Sequence, residues 1–66
     1  MKLMVNGKIE ELQQPMTVSD YLKYKAIDTK LVIIEWNFTT PPREEWSRIT
    51  LNEDDNLEII KIVGGG

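Results

Sequence analysis

"LEIIKIVGGG", Leu57 to Gly66, is apolar on both sides of a strand and then runs into three glycines. Side chains alternate across a strand, so Leu57 and Ile59 take one face and Ile60 and Ile62 the other. "KLVIIEWN", Lys30 to Asn37, repeats the pattern, with Val32, Ile34 and Trp36 opposed to Leu31 and Ile33. Dense β-branched and large apolar residues favour strands. Two-sided runs of this kind are expected in a sheet covered on both faces. Whether such cover exists depends on what the rest of the chain can supply.

It supplies one long helix. In "QPMTVSDYLKYKAI", Gln14 to Ile27, Pro15 breaks the preceding strand. Thr17 and Asp20 have the spacing of a capping box, with Asp in place of Glu, so the helix starts near Val18. Val18, Tyr21, Leu22 and Lys25 fall on one stripe, with the Lys25 stem along its edge, and Ala26 or Ile27 ends it. Before the helix, "MKLMVNGKIEEL" reads as a hairpin turning at Asn6-Gly7, which tolerate positive φ. The returning Lys8 to Leu12 alternates poorly and belongs at a sheet edge. After the third strand, Pro41-Pro42 forbids regular pairing. "PREEW" is then one helical turn with Pro42 at its first position and Trp46 as the anchor. "RITL", Arg48 to Leu51, reads as a short strand, and Asn52 to Asn56 as an acidic turn.

These elements make an α+β roll, four or five strands with one main helix on one face. One helix covers one face. The apolar set on the other is left exposed, and that set is Ile33, Ile60 and Ile62. Contiguous exposed apolar side chains mark a partner surface. Residues 1–63 form the domain on this reading, and residues 64–66 form a flexible tail.

Composition narrows the chemistry. The chain has 66 residues, no cysteine and no histidine, and carries a net charge of −3. Disulfides, thiolate zinc sites and the commonest general base are therefore excluded. The acidic balance argues against a nucleic-acid surface. Without a long apolar run or a signal-like start, we expect a soluble, cytoplasmic chain that does not enter a membrane. Glu10-Glu11, Glu44-Glu45 and Glu53-Asp54-Asp55 read as solvated surface, not as acid/base pairs. A calcium loop would need more ligands than the last run offers. Ser19 and Ser47 have no histidine to activate them, so we expect no catalytic residue, no bound metal and no enzyme activity in the chain itself.

The tail remains. The α-carboxylate of Gly66 has an ordinary pKa of about 3.5 and is ionised at neutral pH. Glycine has no Cβ, so Gly64 and Gly65 can thread a narrow channel and bring that carboxylate to a nucleotide. Attack on the α-phosphorus of ATP would give an acyl-adenylate, from which sulfur or nitrogen could displace AMP. The plain alternative is an inert frayed end.

Gly-Gly at the end of such a roll is similar to the β-grasp, ubiquitin-like sulfur carriers. "PREEW" ahead of an acidic turn, an apolar strand and "VGGG", together with "VNGK", "TVSDYL" and Asn37, resembles the ThiS family of thiamin biosynthesis over nearly the whole chain. The resemblance implies a mixed sheet with its first and last strands parallel and adjacent. It implies a ThiF-type adenylyltransferase that activates Gly66 with ATP and magnesium. A cysteine-derived persulfide would convert the carboxylate to a thiocarboxylate, and a ThiG-type thiazole synthase would accept the sulfur. Ile60 and Ile62 would lie on the docking face. Two turn glycines usual in the family are replaced here, by Phe38 and Asp54. A bulky Phe38 disfavours positive φ, so that turn is expected to differ in shape, whereas Asp tolerates the region better. Other readings stay open: a carrier feeding molybdopterin or tRNA thiolation, a ubiquitin-like modifier joined to lysines through Gly66, or a binding module with an inert tail.

Overall fold

The structure is a computed structural model that describes residues 1–62. Val63 and the tail glycines Gly64, Gly65 and Gly66 lie outside the described residues, as does the expected boundary between domain and tail.

The chain opens with β1 (Lys2–Val5) and β2 (Lys8–Glu11), joined by a tight turn at Asn6 and Gly7 with φ of 51° and 77°. Positive φ at both central positions is the hairpin turn that matches strand twist. Helix α1 (Val18–Tyr24) begins as its sequence dictates: Asp20 N–H donates to Thr17 Oγ1 at 3.0 Å, and Thr17 N–H donates back to Asp20 Oδ2 at 3.5 Å. It ends at Ala26, whose φ is 58°. Ile27 N–H reaches Leu22 O and Ala26 N–H reaches Lys23 O, the double closure that satisfies a helix's last carbonyls. A 3₁₀ turn (Thr29–Leu31) leads into β3 (Val32–Trp36), and β4 (Asn56–Lys61) closes the sheet.

The strand order is β2-β1-β4-β3. β1 and β4 are parallel and central, with Met4 opposite Asn56 and Val5 opposite Leu57. β2 is an edge strand antiparallel to β1, and β3 is antiparallel to β4. This is the mixed sheet the resemblance implies. Helix α1 lays Val18, Tyr21 and Leu22 on one face, where the sheet contributes Leu3, Val32, Ile34 and Leu57 to the core.

Two local expectations are corrected. "RITL" is not a fifth strand. Only Thr50 bridges, to Thr17, while Leu51 N–H donates to Met16 O and Val18 N–H to Ile49 O. The segment pairs with the entry to α1 instead of joining the sheet, and Leu51 is buried. Pro42 is the cap of a second 3₁₀ turn (Arg43–Arg48), one position before its first residue. Here the "PREEW" pattern has a mechanical reading. Trp46 is buried and donates Nε1–H to Pro41 O at 3.1 Å. Arg43 lies over the Trp46 ring and donates to the carbonyls of Thr29 and Val32, so it clamps the long connection along the free edge of β3.

The turn after β3 also departs from expectation. Asn37 and Phe38 have φ of 48° and 68°, so phenylalanine occupies the backbone region that glycine would take without strain. Asp54 likewise sits at φ 68°. Phe38 is 82% exposed and gains little burial in return. Phe38→Gly is therefore expected to stabilise the protein by about 0.5–1 kcal/mol after the looser unfolded chain is allowed for. A rise of a few degrees in Tm by calorimetry checks it; a fall would mean the ring holds the turn.

Candidate functional site

The candidate site is the open face of the sheet at the end where β4 delivers the tail. Leu31, Ile33, Ile60 and Ile62 are 52%, 42%, 47% and 43% exposed. Register places Ile33 directly opposite Ile60, and Ile62 N–H donates to Leu31 O at 2.8 Å. Four apolar side chains thus form two adjoining cross-strand pairs on the face away from α1. The exposure expected of Ile33, Ile60 and Ile62 is observed, and Leu31 extends the patch. Leu31 follows from the same alternation, one pair further along.

Ile62, the last of the described residues, is tied to β3 at the apolar end of the sheet. Gly64, Gly65 and Gly66, the residues expected to carry the chemistry, lie outside the described residues.

The carboxylates sort differently from the sequence reading. Asp55 is not solvated: at 8% exposure it is the buried charged residue among those described. Its Oδ2 accepts from Trp36 Nε1 at 3.0 Å and from the Asn52 N–H at 2.8 Å, and its Oδ1 accepts from Asn37 Nδ2 at 3.0 Å. Burial pushes the carboxyl up, but the bonds from Asn37, Trp36 and Asn52 together outweigh it and hold Asp55 below the usual carboxylate range. A carboxylate held ionised by three donors has no proton to give at neutral pH and faces only its own fold's donors, so it is a structural staple. Glu10 is half-buried and accepts from the Tyr21 hydroxyl at 2.6 Å, with Lys25 Nζ at 3.0 Å. The Tyr21 bond, then Lys25, lower the Glu10 carboxyl, while burial and that same carboxylate push the Tyr21 phenol up. This trio ties β2 to α1 on the helix side, remote from the apolar patch. Glu11, Glu44, Glu53 and Asp54 are exposed. Among the described residues no three acidic side chains converge as metal ligands, and no helix is long and apolar enough to cross a membrane.

A single helix on a mixed sheet, with parallel strands central and an apolar open face beside the exit of the chain, defines a β-grasp protein of the ubiquitin-like class. The chain belongs to the ThiS family, which it matches over residues 3–66. It is similar to the crystal structure of the thiamine biosynthesis protein ThiS from Geobacter metallireducens, at a TM-score of 0.85 and 29% identity over the whole of both chains. The sulfur carrier protein ThiS of Bacillus subtilis is 32% identical over 65 residues, covering 97% of this chain and 98% of that protein. A thiazole synthase of Paramagnetospirillum magneticum is 33% identical over 66 residues, and the chain spans only 20% of that relative's length.

Proposed function

We propose that this chain is a sulfur carrier of thiamin biosynthesis, cytoplasmic, whose Gly66 carboxylate is the cargo site. The observation that carries the reading is the family match running through Gly66 on a domain whose apolar face adjoins the start of the tail. In this scheme a ThiF-type adenylyltransferase supplies ATP and magnesium. A Gly66 oxygen attacks the α-phosphorus and pyrophosphate leaves. The terminal sulfur of a cysteine persulfide then attacks the acyl carbon and AMP leaves. A second thiol cleaves the resulting acyl persulfide, departing as a disulfide and releasing the thiocarboxylate.

The chain's own contribution is placement. Ile33, Ile60 and Ile62 dock the domain, and the four residues after Ile62 span at most about 14 Å. A glycine backbone fits where a side chain would not, and it brings the carboxylate into line with the nucleotide. A ThiG-type thiazole synthase is the proposed acceptor, in keeping with a thiazole synthase that carries a stretch similar to this chain.

Intact-mass measurement tests the scheme. Incubation with ATP, magnesium, the adenylyltransferase and a persulfide donor is expected to add about 16 Da, sulfur replacing oxygen. No shift would sink the carrier reading. A shifted chain that thiazole synthase does not consume would leave a carrier with a different acceptor.

A further inference from the structure

Along β3 and β4 the open face is ordered in tiers. Leu31 and Ile62 form the first, Ile33 and Ile60 the second, and Glu35 and Glu58 the third. The bonds Ile62 N–H to Leu31 O and Asn37 N–H to Asn56 O put pairs of this parity in hydrogen-bonded register, with Cα atoms about 5.5 Å apart. Two glutamates therefore stand directly opposite each other, both half-buried. Like charges so placed disfavour a sheet. Among the described residues the ion pair present joins Lys25 to Glu10, so neither Glu35 nor Glu58 is neutralised within the fold. An uncompensated acidic tier beside two apolar ones is a poor arrangement for an isolated domain and a good one for a complex that brings the cation.

We propose that this face docks an activating enzyme whose surface pairs an apolar patch with an arginine or lysine seated between Glu35 and Glu58. This rests on the carrier reading above and adds the chemistry of the partner. Same-face residues two apart on a strand are about 7 Å apart, so the cation stands about 7 Å from the Ile33–Ile60 contact, on the side away from the tail. The apolar tiers hold the complex, while the acidic tier sets the orientation that points the tail into the nucleotide site. It also speeds encounter, since rim charges act mainly on association rate and register.

The experiment measures binding of the full chain to its purified ThiF-type adenylyltransferase by calorimetry and stopped flow. The variants are Glu35→Gln/Glu58→Gln and Glu35→Lys/Glu58→Lys, with Tm recorded for each. The neutral pair is expected to fold with a Tm at or above that of the unsubstituted chain and to bind about threefold or more weaker. The reversed pair is expected to bind at least tenfold weaker, chiefly through a slower on-rate, and the unsubstituted chain alone should lose affinity steeply as salt rises. Affinities within twofold of the unsubstituted chain for both variants would overturn the proposal. So would a loss confined to thiazole synthase, or an unsubstituted chain that is a dimer broken by the same changes. Thiocarboxylate formation at saturating enzyme separates the two ideas. Unaltered affinity with a normal mass shift sinks the acidic tier and leaves the carrier standing, whereas no shift in the unsubstituted chain sinks the carrier itself.

Discussion

Asp55→Ala is expected to cost about 3 kcal/mol and to leave the domain partly unfolded at 37 °C. The substitution removes one acceptor group and orphans three donors: Trp36 Nε1–H, Asn37 Nδ2–H and the Asn52 amide. Hydrogen bonds to a charged acceptor contribute roughly 1.5–3 kcal/mol each, and a buried donor left unpaired adds its own desolvation cost. The three are not additive, since the loops can relax and admit water. A domain of this size has about 3–10 kcal/mol in all, so the loss is a large fraction of it. Asn37 also accepts from Asn56 N–H at 2.8 Å, and Met4 N–H donates to Asp55 O, so freeing Asp55 loosens β1, β4 and the Asn37–Phe38 turn together. Asp55→Asn keeps one acceptor but turns an amide donor toward a donor, and should cost about 1–2 kcal/mol. Urea denaturation of the three proteins measures this. Equal midpoints would show the network to be replaceable by water.

The same site fixes the sign of the pH dependence. Asp55 and Glu10 both have carboxyls held below their ordinary values. Each contributes stability that is present above its unfolded pKa and is lost as pH falls through the folded one. Acid unfolding should therefore set in below about pH 4, where the unfolded carboxylates begin to take up protons. Asp55→Asn should flatten that acid limb.

Asp55 also marks the limit of what the sequence discloses. In "NEDDN" it sits in an acidic run that looks solvated, because its partners Trp36 and Asn37 lie 19 and 18 residues away in sequence. Nothing local distinguishes it from Asp54, which is exposed. Readings that rest on local chemistry succeeded. Asn6-Gly7 dictates its turn, Thr17 and Asp20 dictate the helix start, and the poor alternation of Lys8 to Leu12 matches an edge strand. "RITL" failed because four residues with strand propensity do not state their partner. Its backbone bonds go to Met16 and Val18. Phe38 failed for a related reason. The Asn56–Asn37 bonds and the close of β3 impose positive φ there, and the surrounding hydrogen bonds outweigh the side chain's preference.

The exposed apolar face was legible for a deeper reason than periodicity. Alternation shows that β3 and β4 are apolar on both sides, and counting helices shows that only one side has cover. The two statements together name Ile33, Ile60 and Ile62, and all three are exposed. The acidic tier was not legible. Glu35 and Glu58 become neighbours only once the register of β3 on β4 is known, and a slip of two residues would have separated them.

Gly65→Val is expected to lower adenylation of the tail at least about 100-fold while leaving Tm within a degree or two. The separation of the two effects carries the prediction. The change lies beyond Ile62, the last of the described residues, and among those the buried core runs from Leu3 to Leu57. The substitution touches none of these core residues, so folding is expected to be little affected. Activation has much to lose, because valine's branched Cβ is stiff and wide where the proposed channel must close around bare backbone. Displacing the carboxylate by even about 1 Å from its line of attack on the α-phosphorus can cost a hundredfold in rate. ATP–pyrophosphate exchange with the adenylyltransferase reads the chemical step directly, and intact mass reads the thiocarboxylate. Gly65→Ala should fall between the two, since it adds a Cβ without the branch. Binding of the Gly65→Val protein to the enzyme should persist within about tenfold, because the apolar face proposed to hold the complex is untouched. Exchange at the unsubstituted rate would mean that the tail meets no narrow passage, and the case for a threaded glycine stalk would fail with it.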